Sequence, residues 1–429
     1  MPWETVFSFA NLWALPFWLL LAFAPRSELT GRIILFGGIA PLAFVYAVLL
    51  PLIMSYIGVD EKAVKVLQES ESGDNKLWRF ISGFAQPKMA KGALAVGLAL
   101  LAVGLWGNAN VQIGDLDKGA PELRADSRYN LDNAYVTDNY STSTDVFVVM
   151  VETEMDGCIK YNTLAAVDLF QWTIEQVPGV QSSISLADRS KFVISAYSEG
   201  DLKWNALNRN QFVLNGTISG MNLSDGLFSS DCSFMPIIVF LEDHKADTLK
   251  RVVAAAEDFI AKNDTGDAVF KLAAGNAGIE AATNEVVERA QTEMLIWVYG
   301  VVAILVWLAF RSVRTVICII APLALTSLLC SALMVALGIG VKVATLPVIA
   351  LGVGIGVDYG IYIYGKLEEY LKEGMPFADA YFETLKSTGK AVVFTGLTLG
   401  IGVATWAFSP IKFQADMGLL LTFMFLWNM

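Results

Sequence analysis

The chain has 429 residues, of which 55% are hydrophobic and only 17% charged, with a mean hydropathy of +0.52. Soluble domains carry about a quarter charged residues, so this composition excludes an ordinary soluble protein. A formal net charge of -12 excludes a nucleic-acid surface, and one histidine with four scattered cysteines offers no zinc site.

Residues 5–24 and 32–57 are apolar runs long enough to cross a bilayer, joined by a short PRSELTGR loop. The start lacks a basic region and carries Glu4, so it does not read as a secretory signal. Residues 59–88 are polar with helical periodicity, which predicts an amphipathic linker on the membrane surface. A third span follows at 89–107. The polar block 108–292 is large enough to bury its own core. Two strand–helix–strand patterns lie inside it. The first has strands at 145–152 and 180–186 around a helix at 163–176; the second has strands at 234–241 and 268–273 around a helix at 246–262. Two such units predict a ferredoxin-like α+β sandwich, with residues 187–233 as a long excursion rich in Ser, Asn and Gly.

After Gly275 the pattern turns helical and runs without a break into a span at 293–310. Further spans are expected at 315–338, 343–364 and 390–408, with an amphipathic segment at 366–386, and the run 413–429 is apolar to its last residue. Lys88, Lys91, Arg311, Arg314, Lys366, Lys372, Lys386 and Lys390 are all cytoplasmic in one consistent topology, which puts residues 108–292 outside the cytoplasm. Arg26 and Arg32 violate that topology, so residues 1–58 read as a possible foreign fusion. An extracytoplasmic setting predicts a Cys158–Cys232 disulfide, while Cys318 and Cys330 read as small core residues.

The span 343–364 reads as the functional centre. It carries one carboxylate, Asp358, in the glycine-laced stretch GVGIGVDYG. An ionisable group within a span costs on the order of 2.5–3.5 kcal/mol to insert, and it marks a pathway or a proton relay. Gly352, Gly356 and Gly360 recur every fourth residue and share one face for close helix packing, with Asp358 pointing elsewhere. Tyr359 and Tyr362 are expected to donate hydroxyls to Asp358, with Thr395 and Thr398 of the next span adding hydrogen bonds. The bland alternative is a carboxyl that only holds helices together. Lys342 is expected to snorkel to the interface, and His244 to be a helix-cap neighbour. Asp115, Asp117, Glu122 and Asp126 read as a solvated connector without calcium-loop spacing. No GxxxxGK[ST] occurs, so ATP hydrolysis is not expected, nor any other enzyme activity or cofactor.

Residues 76–429 resemble the RND superfamily, in its MMPL-type exporter branch. The likeness rests on GDLDKGAPELRADSRYN at 114–130, LAAGNAGIEAATNEV at 272–286, TLPVIALGVGIGVDYGIYIY at 345–364 and the closing stretch from Thr388. It implies a polytopic helical membrane protein with an inserted periplasmic porter domain, in the second-half order of one span, porter block and following spans. It implies that Asp358 and Tyr359 match the family's proton-relay pair. A complete member has a second such pair on a facing half, which this chain lacks. Residues 1–58 resemble the abscisic-acid-deficient, neoxanthin-synthase-like membrane family.

These readings lead to an expected function: proton-coupled export of hydrophobic or lipid-like molecules from a bacterial inner membrane, as half of a transporter. The expected partners are the bilayer, a hydrophobic substrate, and a missing N-terminal half or a second copy. A lipid- or sterol-sensing protein without transport, or an inactive fragment, are the rival readings.

Overall fold

The structure, a computed structural model, describes residues 50–57, 76–219, 221–263 and 268–429. The chain divides into two units, Met1–Asn75 and Lys76–Met429. In the first, the described residues form one helix, α1 (Leu50–Ile57). The expected spans at 5–24 and 32–57 otherwise lie outside the described residues, as does most of the expected linker.

The second unit opens with a short helix, α2 (Lys76–Ser82), and a long one, α3 (Pro87–Asn110). Pro87 suits the start of α3, where its missing N–H has no partner to lose. A connector, residues 111–127, then leads to α4 (Arg128–Asn139), whose first turn is capped by the Ser127 side chain accepting from Asn130 N.

A sheet domain follows. Strand β1 (Val146–Glu152), helix α5 (Tyr161–Ile174) and strand β2 (Val180–Ile184) form one β–α–β unit. Strand β3 (Phe234–Leu241), helix α8 (Ala246–Asn263) and strand β4 (Val269–Ala274) form the other. The sheet order is β2-β3-β1-β4, with every neighbouring pair antiparallel. Each unit is therefore split by a strand of the other. The alternation of β1 buries Phe147, Val149 and Val151, and β3 buries Met235, Ile237, Val239 and Leu241. Phe170, Phe259 and Phe270 meet beneath them, with ring centroids 5.1–5.8 Å apart. Each such fully buried side chain contributes about 1.5–3 kcal/mol of transfer free energy.

The expected excursion is helical, with α6 (Leu186–Tyr197) and α7 (Gln211–Ile218). Leu186 belongs to α6 rather than to β2, because the Ser185 side chain accepts from Ala187 N and starts a helix there. Capping chemistry overrode a short apolar strand pattern. Cys158, just beyond β1, and Cys232, just before β3, are joined as a disulfide, with Cα atoms 5.2 Å apart.

At Gly275 (φ +76) the chain turns from β4 into α9 (Gly275–Phe310). An added Cβ there would lie 2.3 Å from the Val146 carbonyl oxygen, so only glycine fits this turn. The helix α9 then runs 36 residues from the sheet domain into the bundle. The remaining helices are α10 (Val313–Leu337), α11 (Leu346–Lys372), α12 (Phe377–Thr384), α13 (Lys390–Ala404) and α14 (Lys412–Trp427). A π-helical stretch, Leu385–Gly389, joins α12 to α13 in one continuous element. Five helices among the described residues are long and apolar enough to cross a membrane: α3, α9, α10, α11 and the joined element Phe377–Phe408.

Two expectations are revised. The amphipathic segment 366–386 is divided between two helices: α11 continues to Lys372, and α12 starts after a turn at Gly374 (φ +87). Cys330 is buried, but Cys318 lies on the exposed side of α10. An apolar outer face is what a lipid-facing helix requires, so composition could not separate the two cysteines.

Candidate functional site

Asp358 lies 12 residues into α11, about 18 Å along the axis at 1.5 Å per residue. That is mid-depth for a hydrocarbon core of about 30 Å. The glycines set which way it points. A Cβ at Gly352 would lie 2.3 Å from Met424 Cε of α14, and one at Gly356 would lie 2.5 Å from Leu323 Cδ2 of α10. At Gly360 it would meet Ile319 Cγ2 of α10 at 2.9 Å. The three glycines thus press α11 against α10 and α14, where Asn428 Nδ2 also donates to the Gly352 carbonyl at 3.0 Å. Asp358 is turned away from that contact and is exposed on the outer side of α11.

The expected hydrogen bonds around it are not formed. Among the described residues, Asp358 bonds to none of Tyr359, Tyr362, Thr395 and Thr398. Tyr359 is one residue on, about 100° around the helix; it is 4% exposed, with its hydroxyl buried and without a partner. Tyr362 shares the face of Asp358 at i+4 but projects outward, 61% exposed. Thr395 and Thr398 are exposed on α13, which packs mainly on α14. The Thr398 hydroxyl donates within its own helix, to the carbonyls of Phe394 (2.9 Å) and Thr395 (3.0 Å). A sequence pattern gives the face of a residue, but not whether a neighbouring helix comes within reach of it.

A second polar centre, unforeseen as a site, lies where the sheet domain meets the bundle. The connector runs across the bundle end. Ile113 pairs with Val341, Leu123 pairs with Ile411, and Arg124 donates to the carbonyls of Ala407 (2.9 Å) and Ser409 (2.7 Å). Asp115, expected in solvent, forms an ion pair with Lys342, expected to snorkel; their side chains are 15% and 13% exposed. Lys412 bridges Asp117 (3.0 Å) and Asp416 (2.8 Å). The acidic connector is therefore a strap fastened by lysines of the bundle rather than a solvated linker.

His244, expected as a cap neighbour, is 3% exposed, with Nδ1 2.9 Å from Asp145 Oδ1. Burial opposes its charge, but the hydrogen bond and charge of Asp145 outweigh burial and raise its pKa to about 9. Nearby Glu280 of α9 is raised to about 7, because burial penalises its charge more than His244 relieves it. The one signal for this centre in the sequence was a short acidic run after one span facing a lone lysine before another. Nothing local marked His244 or Glu280.

Comparison with known proteins finds two families along the chain. The MMPL family pattern matches residues 138–426, and the pattern described as ABA DEFICIENT 4-like matches residues 5–111. The latter runs past residue 58, where the resemblance was expected to end, and takes in α2 and α3. The chain is 26% identical over 195 residues to "Putative membrane protein MJ1562" of Methanocaldococcus jannaschii, covering 45% of this chain and 50% of that protein. It is 32% identical over 69 residues to "Membrane protein YdfJ" of Bacillus subtilis, covering 16% of this chain and 10% of that protein. The matched regions thus span half or less of the length of these curated relatives.

Proposed function

Because the chain belongs to the MMPL family over residues 138–426, we propose that it is half of an RND-type transporter that exports hydrophobic or lipid-like molecules with proton coupling. One observation carries the reading. Asp358 sits at mid-span on the face of α11 that no described helix covers, while Gly352, Gly356 and Gly360 fix the opposite face against α10 and α14. A carboxylate that only held helices together belongs on the packed face. One on the open face is placed to meet a facing half, or a second copy, and to take up and release a proton there. Tyr359 and Tyr362 flank it, and Thr395 and Thr398 lie on α13, the next span in the sequence.

The split β–α–β order of the sheet domain supports its reading as a ferredoxin-like porter domain, and the charge pattern of the loops supports a periplasmic location in a bacterial inner membrane. Transmission has two routes in this reading: the unbroken helix α9, and the strap from Ile113 to Arg124. Protonation of Asp358 removes a charge from α11, shifts its packing, and moves Lys342 at the α11 end of the strap.

The test is proton flux in pyranine-loaded proteoliposomes holding the chain with its facing half or as a homodimer, under an imposed pH gradient and with a fluorescent acyl-lipid analogue supplied. The wild type should couple proton entry to analogue movement, and Asp358→Asn should abolish both. Equal flux in the two proteins would defeat the reading.

A further inference from the structure

Between the strap, the open end of β1, the first turns of α9 and the start of α14 lies a cavity of about 760 Å³. Its charges do not balance. Lys342 neutralises Asp115 and His244 neutralises Asp145, which leaves Glu280 and Glu122 as surplus carboxylates. Its hydrogen bonds do not close either. Glu280 Oε1, His244 Nε2 and Asn284 Nδ2 are all buried with no partner among the described residues, and His244 and Asn284 are only 3% and 8% exposed. A buried polar group left unmade costs about 1–3 kcal/mol, so an occupant that reached these groups would gain by pairing them.

The chemistry of that occupant can be read from these atoms. Glu280 supplies a carboxylate acceptor. His244 donates Nδ1–H to Asp145, and as an imidazolium it presents Nε2–H as a second donor beside the Asn284 amide. A purely apolar molecule would leave all three unpaired, and an anion would meet surplus negative charge. A metal ion is disfavoured, since no cluster of three or more His, Cys, Asp or Glu side chains suited to one occurs among the described residues. Tyr129 and Phe413 line the same space and bring aromatic rings that can receive a cation, while Ile279 and Val343 accommodate an alkyl group. We propose that this cavity binds a small organic ammonium carrying a neighbouring oxygen, an amino alcohol in chemical class. The ammonium pairs with Glu280, and the oxygen accepts from His244 and Asn284. The site is separate from Asp358 and does not require transport.

Binding should also depend on pH with a definite sign. Glu280 faces His244, Asp145, Asp115 and Glu122, with Lys342 across the cavity, and it loses its proton near pH 7. The amino alcohol stays charged throughout, so affinity should rise between pH 6 and pH 8 as Glu280 ionises.

The experiment is calorimetric titration of the full chain in lipid nanodiscs with N-hexylethanolamine, corrected for empty nanodiscs. Saturable binding at one site per chain is expected, about tenfold tighter at pH 8 than at pH 6 and about tenfold weaker in Glu280→Gln. Hexane-1,2-diol, which lacks the charge, should show no saturable binding. Loss of the Glu280→Gln effect, or equal binding of the diol, would overturn the pairing of an ammonium with Glu280, and no heat beyond empty nanodiscs would mean that the cavity holds water only. No pH gradient is imposed, so failure here leaves the proton-coupling test unaffected.

Discussion

Asp115 and Lys342 stand 227 residues apart in sequence and form a largely buried ion pair, which fastens the connector after α3 to the loop before α11. Through it, the helix carrying Asp358 is joined to the strap beneath the sheet domain.

Breaking this pair from one side leaves a poorly hydrated charge without its partner. Lys342→Met should lower stability by about 3–5 kcal/mol, whereas the double variant Asp115→Asn with Lys342→Met should recover most of the loss. Thermal unfolding of the purified protein in nanodiscs separates the two. Equal losses in single and double variants would show that the pair is not what holds the strap.

The buried His244 makes stability fall on the alkaline side. Its folded pKa of about 9 lies above its ordinary 6.5, so its contribution is complete below pH 6.5 and is lost as pH rises through 9. The amount is on the order of 3 kcal/mol. Glu280 acts in the same direction at lower pH: its raised pKa means that burial costs stability as pH climbs from 4.5 to 7. Melting curves from pH 5 to 10 should decline throughout, and His244→Gln should flatten the part above pH 6.5. A wild-type curve that rises across this range would contradict both assignments.

The Cys158–Cys232 disulfide closes a loop of 74 residues that contains α5, β2, α6 and α7. Loop-closure entropy puts its stabilisation at roughly 4 kcal/mol. Denatured protein should titrate two thiols, Cys318 and Cys330, without reductant and four with it. The Cys158→Ala, Cys232→Ala double variant should make residues 186–218 the first to be cut by protease. Equal thiol counts in the two conditions would rule out the bond.

Helix α3 rests on α10 through Gly107, where an added Cβ would lie 2.2 Å from the Ala332 Cα. Backbone cannot step aside as a side-chain end can. Gly107→Leu should therefore cost about 1–3 kcal/mol or separate the two helices, while Gly92→Leu, with open space around it, should be close to neutral. Similar melting temperatures for the two variants would mean that this contact does not hold α3.

The legible part of the fold was what period and composition encode. The strand Phe234–Leu241 and the helix starting at Ala246 appear where alternation and amphipathicity placed them. The glycine face of α11 also follows from a four-residue repeat on a helix. The illegible part was contact between distant elements. Leu186 looked like the end of a strand until the Ser185 cap decided otherwise, and Tyr362, expected as a donor to Asp358, shares its outward face without bonding to it.

By itself the sequence determined that this chain crosses a membrane several times, that two β–α–β units lie between spans, and that one carboxylate occupies mid-span opposite a row of glycines. Those features are local, fixed by hydropathy and helical or strand period. Only the tertiary structure decided that Asp358 lies on a face no described helix covers, that Asp115 grips Lys342, and that His244, Asp145 and Glu280 converge on one cavity. Burial and pairing depend on which elements pack together, and no one-dimensional pattern carries that information for residues more than a hundred positions apart.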